Sequence, residues 1–276
     1  MDSKNQNLDS FEEYCAKGDS HGVDAYLTSR PSLLDSQYFR GVYSACYAGE
    51  TELIKRFVKL RYFPYEHAMM YAAQGGHLDV IRALVDALQK SPRQLDLAIN
   101  TSMFGAYVNG DPNVIAYLKT LGTLRPGDCL MGASAGGHLD LVNELLATQK
   151  LKTEELNWSL NKAVEARKNA KEIMQNLITA GATNSDSAFI NACLAENFTS
   201  MEFLSDKIKN LQCVYQALFY ATKDKKQDII TWLRSKWNLT YEESEKYHID
   251  CDFFAFEDWK KWWQSQGADV VLSGIL

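Results

Sequence analysis

The feature that most constrains the fold is a fourteen-residue phrase that the chain contains twice. Residues 72–85 read AAQGGHLDVIRALV and residues 133–146 read ASAGGHLDLVNELL, an offset of 61 positions. Each copy is typical of the end of one helix, a glycine turn and a second, amphipathic helix. Since the apolar residues fall at matching places in both copies, the phrase indicates a repeat protein whose units present the same surface to their neighbours.

Weaker copies of the phrase run along most of the chain. A helix–turn–helix unit of this length cannot bury both of its apolar faces alone, but it can when it stacks on similar units. Glycine, or asparagine in its place, tolerates the left-handed backbone that reverses the chain between the two helices. We place these turns, at intervals of 27 to 34 residues, at Gly18, Gly49, Gly76, Gly110, Gly137, Asn169, Asn197 and Lys225.

The two strong copies resemble the ankyrin repeat. That family carries Ala-Ala-x-x-Gly-His, then Val-Val, then a Leu-Leu that leads into Gly-Ala-Asp. Residues 72–85 match this pattern almost fully and residues 133–146 nearly as well, while Gly-Ala signals occur in LITAGAT at 177–183 and WWQSQGADVV at 262–271. The Thr-Pro-Leu-His that opens the first helix of the family is absent. A more general α-solenoid of helical hairpins is therefore the alternative fold.

We thus predict an all-α protein, an α-solenoid of about eight to nine stacked helix–turn–helix, ankyrin-like repeats. The fingers, which are the loops that link successive repeats, are expected to be short or irregular. Residues 1–10 form a polar N-terminal tail and residues 11–250 form the repeat array. Residues 251–276 include the aromatic stretch DFFAFEDWKKWW and are predicted to be a C-terminal capping repeat, because a terminal repeat must close the core.

Composition and charge exclude several classes of function. The net charge of −6 is spread along the chain, so no broad basic face is expected for nucleic acid. No apolar run approaches the roughly 18 residues that a membrane-spanning helix needs. The six cysteines form no CxxC pair and lie mostly among apolar neighbours, which favours buried free thiols in a reducing, cytoplasmic compartment. We expect a monomer.

Side chains that could carry chemistry are better explained by structure. His77 and His138 follow the repeat glycine, where the resemblance implies a structural histidine that hydrogen-bonds near the turn. His248 lies close to Cys251 in HIDCD, but a single such pair is a weak zinc signal. QGGH and AGGH lack the Lys-Ser/Thr of a phosphate loop. We predict no catalytic residues, no metal and no cofactor, and therefore no enzyme activity.

Binding is the function that the architecture favours, since a solenoid leaves one long concave surface unused by its own core. The ankyrin resemblance implies that the positions just before the repeat glycine contact a partner protein, which selects Tyr47, Gln74, Asn109, Arg167 and Lys223. The loop RYFPYE at 61–66 adds three aromatic candidates for interface anchors, which are Tyr62, Phe63 and Tyr65. The alternative for these rings is that they cover the ends of neighbouring helices.

The predicted function is therefore a non-catalytic protein–protein interaction module, an adaptor or scaffold. The alternative is a dedicated inhibitor or regulator that clamps one enzyme or another effector. The degenerate repeats are similar to those in ankyrin-like proteins of intracellular bacteria and large viruses. The acidic stretch TYEESEK at 240–246 and the apolar tail VVLSGIL are similar to the ends of substrates of bacterial type IV secretion, which favours a secreted effector that reaches a host cytosol. A solvated charge run explains the acidic stretch equally.

Overall fold

The structure is a computed structural model, and it describes residues 6–30, 35–60, 63–122 and 124–239. All regular structure in these ranges is helical, and sixteen helices occur in them. In chain order they are α1 Gln6–Ala16, α2 Ser20–Ser29, α3 Asp35–Ala48, α4 Thr51–Leu60, α5 Tyr65–Gly75, α6 Leu78–Leu88, α7 Pro92–Asn109, α8 Pro112–Leu121, α9 Pro126–Gly136, α10 Leu139–Thr148, α11 Thr153–Ala163, α12 Ala170–Ala180, α13 Ser185–Leu194, α14 Phe198–Ser205, α15 Gln212–Lys223 and α16 Gln227–Lys236.

The helices pair into hairpins, and the hairpins of the described residues form two compact units, which divide after Gly181. In the first unit the odd-numbered helices α1 to α11 pack side by side in chain order, and each also packs on the even-numbered helix that follows it. In the second unit α13 packs on α15, and each packs on its own partner helix. Stacked helical hairpins of this type are an α-solenoid, so the predicted fold class is confirmed. Residues 251–276, the predicted cap, lie outside the described residues.

The turns inside the hairpins lie where the sequence places them, with one exception. Left-handed backbone occurs at the five predicted glycines, Gly18, Gly49, Gly76, Gly110 and Gly137, and also at Asn169, Glu196 and Lys225. Asn197 was therefore the wrong residue by one position. It has a φ of −89° and caps the N-terminus of α14, where its side chain accepts a hydrogen bond from the Ser200 backbone N–H. Asparagine suits both places, and its capping role prevails here.

The core is built from the apolar pairs of the second helices and from small residues of the first. Val80, Ile81 and Leu84 of α6 are fully buried, and burial of each such side chain contributes roughly 1.5–3 kcal/mol. Small size matters where first helices meet. A Cβ on Gly105 would lie 2.3 Å from the Met70 carbonyl oxygen, and one on Gly132 would lie 2.4 Å from that of Phe104. Backbones of α5, α7 and α9 therefore pack in direct contact.

The connections between hairpins are short, as predicted. Three residues separate Leu88 from Pro92, and four separate Thr148 from Thr153. No strand occurs in the connections that the structure describes.

A proline begins each of three helices, at Pro92, Pro112 and Pro126. The first helical position needs no N–H donor, and the fixed φ of proline suits the first turn.

Five of the six cysteines lie in the described residues, and all five are buried free thiols, as predicted: Cys15, Cys46, Cys129, Cys193 and Cys213. Burial raises the pKa of the thiols of Cys15, Cys129 and Cys213 to about 12, and it raises the pKa of Cys46 and Cys193 further still. Among the described helices, none is both long and apolar enough to cross a bilayer.

Candidate protein-binding groove

The two repeat histidines are structural, and they join neighbouring hairpins. His77 Nε2 lies 2.9 Å from the carbonyl oxygen of Tyr47, and His138 Nε2 lies 2.9 Å from that of Val108. Because a carbonyl oxygen only accepts, Nε2 is the protonated nitrogen in both rings. Each histidine thus satisfies a carbonyl at the C-terminal end of the preceding first helix, where no intrahelical partner is available.

Other side chains serve the same carbonyl position in other repeats. Asn109 Nδ2 donates to the carbonyl of Gln74 over 3.0 Å, and Lys226 Nζ donates to that of Leu194 over 2.5 Å. Asn109 Oδ1 also accepts from the backbone N–H of Asp111. The sequence pattern proposed Asn109 as a partner contact, but its amide already holds two hairpins together. The next hairpin therefore anchors the end of each of these first helices.

Two residues of the predicted binding row line one groove on the first unit. The groove has a volume of about 500 Å³, and helices α1, α3 and α5 form it. Tyr47 is 53% exposed there, and Gln74 lies beside it on α5. We name this the tyrosine groove, and its lining residues are Glu12, Ala16, Arg40, Tyr43, Ser44, Tyr47, Ala48, Tyr71 and Gln74.

The floor of the tyrosine groove is aromatic and its rim is charged. The rings of Tyr43 and Tyr71 stack with centroids 4.9 Å apart and an interplanar angle of 23°. Arg40 Nε lies 2.6 Å from a carboxylate oxygen of Glu12. The sequence pattern before the turns did not select Tyr43 and Tyr71, although Phe39, Tyr43 and Tyr47 recur at the four-residue spacing of one helix face. That four-residue spacing is the sequence pattern that could have identified Tyr43 as part of the groove.

The aromatic loop contributes less to the surface than predicted. Phe63 is only 4% exposed, and its ring packs on that of Tyr65 with centroids 4.8 Å apart. Phe63 therefore covers the start of α5 and is corrected from partner contact to core residue. Tyr65 is half-buried, and burial raises the pKa of its hydroxyl. Tyr62 lies outside the described residues.

Neither Arg167 nor Lys223, the remaining candidates, is among the residues that line the tyrosine groove. Arg167 is exposed between α11 and α12, and with His138 and Lys168 it lines a cleft of about 730 Å³ on the same unit. Lys223 is the exposed last residue of α15 in the second unit. Leu194, two residues before the left-handed Glu196, holds the matching place in the preceding repeat and is 38% exposed. Because the turn was predicted at Asn197 rather than Glu196, the sequence pattern did not select Leu194.

No group of three or more histidine, cysteine or acidic side chains that could hold a metal ion occurs among the described residues. His248 and Cys251, the weak zinc signal, lie outside them. The described pockets border first helices and hairpin turns, and their linings mix aromatic, amide and charged side chains.

The stacked hairpins and their left-handed turns define a helical-repeat protein of the α-solenoid class. A weak similarity in sequence suggests ankyrin-like repeats. The chain is 26% identical, over 181 aligned residues, to the ankyrin repeat and KH domain-containing protein mask-1 of Caenorhabditis elegans. The alignment covers 54% of this chain and 7% of the relative, so the chain matches only a small part of that protein's length. No family model matches the sequence.

Proposed function

We propose that this protein is a non-catalytic protein–protein interaction module, an adaptor or scaffold that holds a partner protein in the tyrosine groove. One observation carries the proposal. Tyr43, Tyr47 and Tyr71, from two consecutive first helices, line a single groove, and Tyr47 is half-exposed. The core of the chain uses the other faces of these helices.

The chemistry of the groove suits a protein partner. Tyrosine supplies a large apolar area with little conformational entropy to lose, and its hydroxyl adds a hydrogen-bonding group. Interface hot spots are enriched in tyrosine, tryptophan and arginine, and they lie at the centre of a patch whose rim is polar. The tyrosine groove has that arrangement, with stacked rings in the middle and the Arg40–Glu12 ion pair at the edge.

Site-specific photocrosslinking in the protein's own cells tests the proposal. A benzophenone amino acid at position 47 is expected to capture one defined partner, which mass spectrometry identifies. The matched control carries the same amino acid at Ala87, an exposed residue of α6 on a second helix. Equal capture of the same partner from both positions, or no crosslink from position 47, contradicts the assignment of the groove.

The inhibitor alternative uses the same groove, and the stoichiometry of the captured complex separates it from a scaffold. A single enzyme bound one to one, with its activity lost on binding and restored by Tyr47→Ser, identifies a dedicated regulator. Several partners that compete for the groove, each with unchanged activity, identify an adaptor.

We further propose that the protein is delivered into a host cytosol as an effector. Only the sequence of residues 240–276 supports this, because that segment lies outside the described residues. A reporter-fusion translocation assay with and without residues 240–276 provides the test. Unchanged delivery after the deletion contradicts a signal in that segment.

A further inference from the structure

We propose that a second pocket on the first unit binds the cationic end of an arginine or lysine side chain of the partner. The inference rests on the proposed function, since it names the chemistry of the partner that the groove would hold. We name the site the cation pocket, and its lining residues are Phe39, Tyr43, Phe63, Pro64, Tyr65, Glu66, His67 and Gln94.

Phenylalanine and tyrosine make up half of the described lining of the cation pocket. Two of these four residues lie on α3, one lies in the connection before α5, and Tyr65 is the first residue of α5. The centroids of Phe39 and Tyr43 are 6.4 Å apart, and those of Phe63 and Tyr65 are 4.8 Å apart. The faces of such rings carry negative potential, so the partly exposed rings of Phe39, Tyr43 and Tyr65 would attract a cation, while the buried Phe63 packs on Tyr65.

The charge of the lining has the sign that a cation needs. Among the described residues that line the pocket, Glu66 is the one formally charged side chain, with His67 taken as neutral. Glu66 is half-buried and forms no ion pair with any described residue. Arg40, which lines the tyrosine groove, is paired with Glu12. A guanidinium or ammonium group would give Glu66 an ionic partner that none of the described residues provides.

Size and position connect the pocket with the tyrosine groove. Its volume is about 300 Å³, which suits one long side chain rather than a folded element. Tyr43 lines both the pocket and the groove, so an extended partner segment in the groove can place one side chain in the pocket. Gln94 on α7 also lines the pocket, and its amide oxygen can accept a hydrogen bond from the cation.

The test uses the full chain labelled with ¹⁵N and two probes of nearly equal shape. N-acetyl-arginine amide is cationic, whereas N-acetyl-citrulline amide is its neutral counterpart. We expect saturable shifts of the backbone amide signals of Tyr43, Glu66 and His67 with the arginine probe, and binding of the citrulline probe weaker by about five-fold or more. Equal binding of the two probes overturns the inference.

Variants separate the pocket from general attraction to an acidic protein. Glu66→Gln is expected to lower the affinity for the arginine probe by about three-fold. Glu172→Gln, at an exposed position of α12, removes the same charge elsewhere and is expected to change nothing. Tyr43→Leu provides a second variant that leaves Glu66 in place, and it is expected to weaken binding as well. An unchanged affinity for the arginine probe in both Glu66→Gln and Tyr43→Leu overturns the inference.

The two proposals fail in different ways. If the arginine probe does not bind but a crosslinker at position 47 still captures one partner, the cation pocket is wrong and the groove stands. If the probe binds with the expected charge dependence but position 47 captures nothing, the pocket stands as a small-cation site and the proposed protein-binding function is wrong.

Discussion

His77 and Gly49 are in direct contact across the boundary between two hairpins. A Cβ atom on Gly49 would lie 2.5 Å from His77 Nδ1, while His77 Nε2 reaches the Tyr47 carbonyl over 2.9 Å. The same arrangement joins Gly110 and His138. The repeat glycine therefore has two roles, since it adopts left-handed backbone and it leaves room for the ring of the next repeat.

The first prediction concerns this contact. His77→Ala is expected to destabilise the protein by about 1 kcal/mol, because it leaves a helix-end carbonyl without its partner. Gly49→Ala is expected to cost more, about 2 kcal/mol or above, since φ is +86° and the ring must also move. In a double-mutant cycle the second cost should shrink when His77 is already alanine. Urea unfolding measures all four proteins, and His21→Ala at an exposed site is the control.

The second prediction concerns a turn that lacks glycine. Lys225 has a φ of +57°, a conformation that a residue with a Cβ adopts at a cost. Lys225→Gly is expected to stabilise the second unit by about 1 kcal/mol. Gln216→Gly, in the middle of α15, is the control and is expected to destabilise by a similar amount. A stability decrease at Lys225 would mean that its side chain makes a contact worth more than the backbone strain.

The sequence predicted the hairpin turns well because glycine with left-handed backbone has few substitutes. In the turn at Glu196, which lacks glycine, no side-chain property identifies Glu196 rather than its neighbour Asn197 as the left-handed residue. The predicted turn was therefore displaced by one residue. The groove was harder to predict. The place before the turn selected Tyr47 and Gln74, which line the groove, but the burial of Phe63 and the hydrogen bonds of Asn109 depend on which side chains meet in space. Local pattern does not contain that information.

The third prediction concerns a buried hydroxyl. Ser134 is fully buried, and its Oγ has no hydrogen-bond partner among the described residues, whereas the matching position of the other strong repeat is Ala73. Ser134→Ala is expected to stabilise the protein by about 1 kcal/mol, because it removes an unpaired polar group from the core. Ser159 is equally buried but donates to the Glu155 carbonyl over 2.8 Å. Ser159→Ala is expected to be neutral or destabilising in the same thermal unfolding measurement.

The fourth prediction separates binding from folding within the predicted row. Tyr47→Ala is expected to weaken partner capture and to change the free energy of unfolding by less than about 0.5 kcal/mol, because the ring is exposed. Asn109→Ala is expected to lower stability by about 1 kcal/mol, since the amide bonds to Gln74 and Asp111 are lost. Val80→Asp is expected to unfold the first unit, because it places an unpaired charge in the core. Circular dichroism during chemical denaturation distinguishes the three outcomes.

The last prediction follows from the buried thiols. The thiolate is the reactive form of cysteine, and burial raises the pKa of Cys15, Cys129 and Cys213 to about 12. At pH 8 these thiols are expected to react with a disulfide reagent at least about 100-fold more slowly in the folded protein than in guanidinium.

The same pKa values fix the sign of a pH effect on stability. Above about pH 8.5 the thiols of the unfolded chain ionise, while the folded ones stay protonated up to about pH 12. The unfolded state therefore binds fewer protons, and stability falls as the pH rises across this window.

Mass spectrometry of labelled peptides measures the reaction of each cysteine with the disulfide reagent separately. Rapid labelling of Cys129 in the folded protein at pH 8 would contradict its place in the core.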